Sequence, residues 1–202
     1  MTDRRRGRLI AFEGGEAVGK STQVSLLAGA IGAAATREPG GSSLGEQIRG
    51  LVLHSPPGAV GARAELMLFL AARAQHVAGF IRPKLDGGLD VVVDRYSGST
   101  LAYQGYGRGL PVTEIETACD LATGGLWPDL TVLLDMPAQE GAARRPGAVK
   151  DRIETEDEGF FARVRQGFLD LAAAHSESWI VIDACQPAED IARQVLSAVE
   201  GL

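Results

Sequence analysis

The chain contains 202 residues, of which 45% are hydrophobic and 23% are charged, and its formal net charge at pH 7 is -6. This composition excludes a globally disordered protein and fits one folded domain, which we take to span residues 1–202. The acidic balance argues against nucleic acid as a partner, because binding to a phosphate backbone depends mainly on Lys and Arg.

The sequence gives no indication of a membrane segment or of structural disulfides. Its longest nearly apolar stretch, Val24 to Ala35, is shorter than the ~18 residues that a membrane helix needs. Two cysteines, Cys119 and Cys185, are not closely spaced, so neither a metal knuckle nor a disulfide framework is indicated. We therefore expect a cytoplasmic protein without a membrane partner.

Five short runs rich in aliphatic or β-branched residues predict buried strands. These strands span Leu9–Glu13, Ala33–Arg37, Leu89–Asp94, Leu130–Asp135 and Trp179–Asp183. Helices are predicted between them over Lys20–Ile31, Leu44–Leu53, Arg63–Leu85, Thr113–Leu121, Thr155–His175 and Ala188–Val199. The alternation predicts an α/β fold, in which a parallel sheet carries helices on both faces and binds ligands beyond the carboxyl ends of its strands.

Two local patterns refine this outline. Thr-x-x-Glu capping boxes at Thr113 and Thr155 predict where two of the helices begin. Gln139–Val149, between the fourth strand and a long helix, has Gly and Pro around two adjacent arginines, which predicts a mobile excursion from the sheet.

The strongest motif follows the first predicted strand. Residues Gly14 to Ser21 match G-x-x-x-x-G-K-[ST], the phosphate-binding loop of nucleotide triphosphatases. Its glycines let the backbone curl with N–H groups inward, Lys20 reaches the outer phosphates and Ser21 offers a hydroxyl to Mg²⁺. The residues predicted to bind the nucleotide triphosphate are Gly14, Gly15, Glu16, Ala17, Val18, Gly19, Lys20, Ser21 and Thr22.

A second metal-facing group is expected at the end of the third strand. Asp94 ends this aliphatic run, and the carboxylate of a neighbouring strand commonly holds the Mg²⁺ shell in such folds. A GTPase switch is disfavoured, because guanine is usually bound by an Asn-Lys-x-Asp motif and the chain contains no asparagine.

Further stretches beyond the loop carry a family resemblance. They are Phe12-Glu13-Gly14, Thr36-Arg37-Glu38-Pro39-Gly40-Gly41, Asp94-Arg95-Tyr96, Leu101-Ala102-Tyr103-Gln104-Gly105 and Asp151-Arg152-Ile153-Glu154. In this order and spacing the chain resembles bacterial thymidylate kinases. The resemblance implies a P-loop NTPase fold with a five-stranded parallel sheet, helices on both faces and a mobile lid near residues 139–153.

The resemblance also implies a reaction and an acceptor site. The reaction is ATP-dependent phosphorylation of dTMP to dTDP with Mg²⁺, by a homodimer. Arg95 and Arg49 would hold the dTMP phosphate, Phe69 would stack on thymine and Arg73 would bind its carbonyl edge. The full acceptor set is Glu16, Glu38, Pro39, Arg49, Phe69, Arg73, Arg95, Ser99, Thr100, Tyr103 and Gln104. From the residues alone, Phe69 and Arg73 would instead be a core phenylalanine beside a solvated arginine.

Catalysis by such an enzyme needs alignment and charge neutralisation. The acceptor phosphate has a second pKa of about 6 and is already largely deprotonated at pH 7, so a strong general base is not required. The three histidines fit packing or surface roles. Ala17 occupies the loop position where some relatives place an arginine. The resemblance therefore implies that arginines of the lid supply the positive charge that this loop lacks. The predicted catalytic residues are Lys20, Arg95, Arg144, Arg145 and Arg152.

Several alternatives stay open at this point. Arg144 and Arg145 could be a solvated pair, and Arg152 could cap against Glu154 or Glu156. A nucleotide or deoxynucleoside kinase of the same fold would use the acceptor residues for another base or sugar. A non-transferring ATPase switch would need no acceptor pocket at all.

Overall fold

A computed structural model describes residues 6–144, 147 and 149–202, except for the side chains of residues 138 and 142. Arg145, one of the predicted lid cations, lies outside the described residues. In the part of the chain that is described, no helix is long and apolar enough to cross a membrane.

The predicted parallel sheet is confirmed. Five strands, all parallel, lie in the order β2-β3-β1-β4-β5. They are β1 (Leu9–Gly14), β2 (Ala34–Arg37), β3 (Val91–Asp94), β4 (Leu130–Asp135) and β5 (Trp179–Asp183). Because β1 lies at the centre, the loop that follows it emerges between the carboxyl ends of β3 and β4.

Helical segments connect the strands. The longer helices are α1 (Lys20–Ile31), α2 (Ser43–His54), α3 (Ala62–His76), α6 (Val112–Thr123), α8 (Glu158–Ala174) and α9 (Ala188–Glu200). The shorter ones are α4 (Arg82–Asp86), α5 (Ser97–Thr100) and α7 (Ala138–Ala143), and π-helical segments span Val77–Ile81 and Leu101–Gly107.

Alternate residues of β1 face two different cores, as a strand covered on both sides requires. Ile10 and Phe12 are fully buried in a cluster that also contains residues of α1 and α9. Leu9 and Ala11 are fully buried on the opposite face, against the segment that follows α3. The central strand is thus fixed from both sides, which places the loop after Gly14 on a rigid support.

The structure corrects the predicted helix boundaries at several points. The helix predicted over Arg63–Leu85 is helical throughout but changes to π geometry at Val77–Ile81. Pro83 has no N–H to donate to Gly79, so one regular bond of the helix is missing there. The helical run from Ser97 to Gly107 was not predicted, because its glycines disfavour a helix.

Both predicted capping boxes are wrong. The N-cap of α6 is Pro111, which gives no side-chain bond. Helix α8 is capped by Asp157, whose side chain accepts a hydrogen bond from the Phe160 N–H. The Thr155 hydroxyl instead donates to the Arg152 carbonyl in the preceding turn.

Candidate active site

The loop between β1 and α1 adopts a conformation suited to an anion. Gly14 and Gly19 have φ values of 138° and 96°, and Ala17 has a φ of 58°. A Cβ atom at Gly14 would collide with the Leu134 carbonyl, which explains the glycine. The N-cap of α1 is Gly19, which has no side chain to bond the first N–H groups of the helix, and such groups can bind an anion.

Lys20 is buried where this loop meets the sheet. Its ammonium group donates to the Gly14 carbonyl at 3.3 Å and also to the Gly15 carbonyl. Burial and the nearby Arg95 charge lower the pKa of Lys20 to about 8, although Glu16 and other carboxylates oppose the shift. The lysine is therefore held by weak acceptors in a place where a phosphate would be a stronger partner.

Ser21 and Asp94 meet at the predicted metal position. The Ser21 hydroxyl donates to an Asp94 carboxylate oxygen at 2.6 Å. Two hard oxygen ligands beside a phosphate loop fit Mg²⁺, which keeps several waters and takes its remaining ligands from phosphates. Among the residues that the structure describes, no group of three or more His, Cys, Asp or Glu side chains could hold a metal ion.

Arg95 links the phosphate loop to the second half of the site. Its guanidinium donates to the Gly14 carbonyl at 2.9 Å and to the Ser99 hydroxyl at 3.0 Å. It also donates to Glu16 at 2.7 Å and to the Tyr103 hydroxyl at 3.3 Å. Burial alone would raise the pKa of Glu16, but Arg95, Lys20 and the Tyr103 hydroxyl hold it at about 2. This acid is therefore an acceptor throughout the physiological pH range.

A buried carboxylate keeps the Arg95 turn in place. Arg95 has a φ of 67°, a left-handed conformation that is strained for a residue with a side chain. Glu13 is fully buried and accepts from the Tyr96 and Ser99 N–H groups, both at 2.9 Å. These bonds fix the backbone on the carboxyl side of Arg95 and so hold its guanidinium at the loop.

Arg73 is buried, not solvated as the residues alone would suggest. Its side chain is 3% exposed and pairs with Glu38 at 2.7 Å. It also donates to the Thr100 hydroxyl at 2.8 Å and to the Tyr96 carbonyl at 3.0 Å. His76, which is fully buried, contacts the other Glu38 oxygen at 3.0 Å. Glu38 therefore neutralises and orients Arg73.

One cavity of about 690 Å³ joins the two halves of the site. The side expected to bind the phosphoryl donor, called the donor side, includes Ala17, Gly19, Lys20, Ser21, Thr22 and Asp94. The acceptor side includes every residue of the predicted acceptor set, Glu16, Glu38, Pro39, Arg49, Phe69, Arg73, Arg95, Ser99, Thr100, Tyr103 and Gln104. Residues from distant parts of the sequence thus converge on one space, although their roles toward a ligand stay predictions.

Comparison with known proteins gives a consistent family. A family model described as Thymidylate kinase matches residues 12–195. The thymidylate kinase of Nitratidesulfovibrio vulgaris (strain DP4) is 46% identical over 203 residues, which cover 94% of this chain and 91% of that protein. The thymidylate kinase of Clavibacter michiganensis subsp. michiganensis (strain NCPPB 382) is 46% identical, with 97% and 96% of the two chains covered.

A solved structure agrees with these relatives. The crystal structure of thymidylate kinase from Ehrlichia chaffeensis aligns with a TM-score of 0.80 and 30% identity, covering 96% of this chain and 99% of that one. The chain belongs to the thymidylate kinase family. Both the family and the P-loop NTPase fold expected from the sequence are confirmed.

In this thymidylate kinase family member, two residues of the predicted lid, Gly141 and Arg144, lie beside the phosphate loop and the cavity. The Arg144 guanidinium donates to the Ala184 carbonyl at 2.9 Å. Gly141 packs so closely on the phosphate loop that an added Cβ would lie 2.6 Å from the Glu16 carbonyl oxygen. Arg144 also lines the cavity, so it stays a candidate for the catalytic lid cation.

Arg152 lies elsewhere. It is 8% exposed, donates to the Val52 carbonyl at 2.8 Å and pairs with the buried Glu65. Glu156, one of the partners considered from the sequence, pairs with Arg108 at 2.6 Å. Arg152 is not among the residues that line the cavity, unlike its neighbours Asp151 and Ile153. Its catalytic role therefore stays a prediction.

Sequence reasoning missed Glu65 and the contact between His76 and Glu38. A signal was present for both, since Glu65, Phe69 and Arg73 follow one another at intervals of four residues and His76 comes three later. Residues at this spacing share one face of a helix. The face of α3 that carries the predicted base-binding residues therefore also carries their supporting groups.

Proposed function

We propose that this chain transfers the γ-phosphoryl group of ATP to dTMP, giving ADP and dTDP. The observation that carries the proposal is the continuous cavity, in which a phosphate loop faces a second pocket containing Arg95, Phe69 and Arg73. A protein that only hydrolyses ATP needs no such pocket, and membership of the thymidylate kinase family argues against that alternative.

Arg95 would contact both the triphosphate of ATP and the phosphate of dTMP. Its guanidinium already touches the phosphate loop through the Gly14 carbonyl and the acceptor side through Tyr103. A fixed guanidinium fork suits a phosphate, and a fixed acceptor phosphate supplies most of what phosphoryl transfer requires. Arg95 would orient the dTMP phosphate toward the γ-phosphoryl group, while Lys20 neutralises the donor.

Mg²⁺ fits the pair formed by Ser21 and Asp94, which would hold it. When bound, the ion supplies positive charge that balances the phosphate oxygens. Lys20 and Arg95 add their charges from the protein, and the lid supplies more through Arg144 and Arg145. The acceptor is already an anion at pH 7, so no side chain has to remove its proton.

The base is expected to occupy the inner end of the cavity. Phe69 offers a face for stacking, and Arg73 presents a guanidinium that Glu38 and Thr100 hold in place. Tyr103 donates to Glu16 at 2.7 Å and borders the expected position of the sugar. These groups favour a pyrimidine deoxynucleotide over other monophosphates.

The deciding experiment measures ADP release in a coupled assay with ATP, Mg²⁺ and a panel of dTMP, dUMP, dCMP and UMP. We expect turnover with dTMP to exceed turnover with each of the other three. Preference for another monophosphate would indicate a different kinase of the same fold. ATP hydrolysis that no monophosphate stimulates would refute the proposal.

We also propose that the protein is a cytoplasmic homodimer. Leu51 on α2 and Met67 on α3 are 56% and 59% exposed, although both helices belong to the main body of the fold. A contiguous exposed patch that includes such side chains would suit an interface with a second copy. Light scattering should give twice the mass of 21.2 kDa; a monomer at micromolar concentration would contradict this part.

A further inference from the structure

A buried carboxylate lies directly behind the acceptor pocket. Glu65, on α3, is 1% exposed and accepts hydrogen bonds from three side chains. Gln104 donates its amide nitrogen to one carboxylate oxygen at 2.8 Å, and Arg108 donates to both oxygens at 3.1 Å. Arg152 donates to the second oxygen. The mechanism described above uses none of these bonds.

The chemistry of these partners permits only one orientation of the Gln104 amide. Burial alone would raise the pKa of Glu65, but hydrogen bonds from Arg108, Gln104 and Arg152 lower it overall. The group is therefore an ionised carboxylate, which accepts hydrogen bonds and cannot donate them. Only the NH₂ end of the Gln104 amide can face it, so the carbonyl oxygen must lie on the other side.

That oxygen is available to a ligand. Among the described residues no side chain or backbone group donates to it. In the described part of the chain, the side-chain atoms that are both buried and without a partner are Gln23 Oε1 and Ser97 Oγ. The Gln104 oxygen has no partner there and is not one of them, so it is not fully buried. Since Gln104 lines the cavity beside Phe69 and Arg73, its oxygen retains access to that space.

We propose that Glu65 is a positioning residue that sets base selectivity by fixing the Gln104 amide with its oxygen toward the base. This inference rests on the proposed function. Thymine carries an N–H at ring position 3, which can donate to that oxygen. Cytosine carries a bare acceptor nitrogen at the same position, so two acceptors would face each other without a proton. Glu65 thus excludes cytosine without touching the ligand.

The substitution Glu65→Gln tests this directly. Arg108 and Arg152 compete for the single oxygen left at position 65, so the new NH₂ group faces Gln104. The Gln104 amide then turns over and presents its own NH₂ to the base. We expect the ratio of kcat/KM for dTMP over dCMP to fall by about 10-fold or more. The KM for dTMP should rise with little change in kcat, since the contact exists before and during transfer.

The matched control is Glu156→Gln. This change also removes a carboxylate from Arg108, whose bond to Glu156 is 2.6 Å, but it does not touch Gln104. We expect the dTMP to dCMP ratio of Glu156→Gln to stay within about twofold of the unchanged protein. If Glu65→Gln lowers kcat/KM equally for dTMP and dCMP, so that their ratio is unchanged, Glu65 has only a structural role and the inference is wrong.

A measurement on the unchanged protein covers the case in which Glu65→Gln does not fold. The side-chain NH₂ signals of Gln104 can be assigned in a ¹⁵N–¹H spectrum by their absence in Gln104→Leu. We expect dTMP to leave them nearly unshifted, because the NH₂ group faces Glu65. Large shifts of these signals on binding would show that the NH₂ group faces the base, contrary to the inference.

The two proposals fail in different ways. If the unchanged protein does not phosphorylate dTMP, the proposed function is wrong. If it does, and the selectivity of Glu65→Gln matches that of the unchanged protein, only the role of Glu65 is wrong.

Discussion

ATP binding should take up a proton at alkaline pH, and Lys20 should be its destination. In the free protein the pKa of Lys20 is lowered to about 8 from the ordinary 10.5, with burial as the main cause and Arg95 second. The triphosphate brings negative charge to this ammonium group and favours its charged form. Binding therefore raises the pKa of Lys20, and a proton enters wherever the free lysine has lost one.

The size of the effect follows from the pKa of about 8. If the bound pKa returns to its ordinary range, uptake is about 0.1 proton at pH 7, about 0.5 at pH 8 and about 0.9 at pH 9. The sign is fixed, because the free state holds fewer protons than the bound state. The association constant for ATP should therefore fall by up to about tenfold per pH unit above pH 8. The phosphates of ATP are fully ionised there and contribute little.

Titration calorimetry measures this uptake from binding enthalpies in two buffers with different ionisation enthalpies. Lys20→Met should remove the uptake at saturating ATP. Lys84→Met is the matched control, since Lys84 lies over the Phe80 ring at 4.7 Å and does not line the cavity, so it should leave the uptake unchanged. An uptake near zero at pH 9 in the unchanged protein, or the same uptake in Lys20→Met, would refute the reasoning.

Three further substitutions probe the rest of the site. Tyr103→Phe removes the hydroxyl that bonds Glu16 at 2.7 Å and frees that carboxylate for a ribose 2′-hydroxyl. The kcat/KM ratio of UMP over dUMP should rise by about 10-fold, and an unchanged ratio would contradict this. Glu38→Ala leaves the buried charge of Arg73 unpaired, so urea denaturation should show a loss of about 3–5 kcal/mol in unfolding free energy. Gly141→Ala places a methyl group 2.6 Å from the Glu16 carbonyl and should lower kcat/KM for ATP by ~10- to 100-fold. Unaltered ATP kinetics would show that the lid does not need this contact.

The sheet could be predicted almost to the residue because its strands are buried on both faces. Such strands appear in the sequence as continuous aliphatic runs, as in Leu130–Asp135, where prediction and structure agree. Helix ends were less predictable, because a Thr-x-x-Glu pattern at Thr155 competes with Asp157 two residues later for the same N–H groups.

The site could be predicted where its residues lie in continuous motifs. The phosphate loop and the stretch around Arg95 carry their spacing in the sequence itself. The supporting contacts do not, since Glu65 and Arg152 are 87 residues apart and meet only in the folded chain. Their pairing depends on how α3 packs against the segment around Arg152, which local patterns do not encode.

The two substrates are bound by different kinds of chemistry, and this has a consequence for how specificity can change. ATP would be bound largely by main-chain amides, which most side-chain replacements leave intact. The nucleobase would be contacted by two side chains on α3, Phe69 and Arg73. A single inserted residue in that helix would rotate everything beyond it by about 100° and remove base recognition in one step. Point replacements on the same face of α3 could change the preferred pyrimidine while ATP remains the phosphoryl donor.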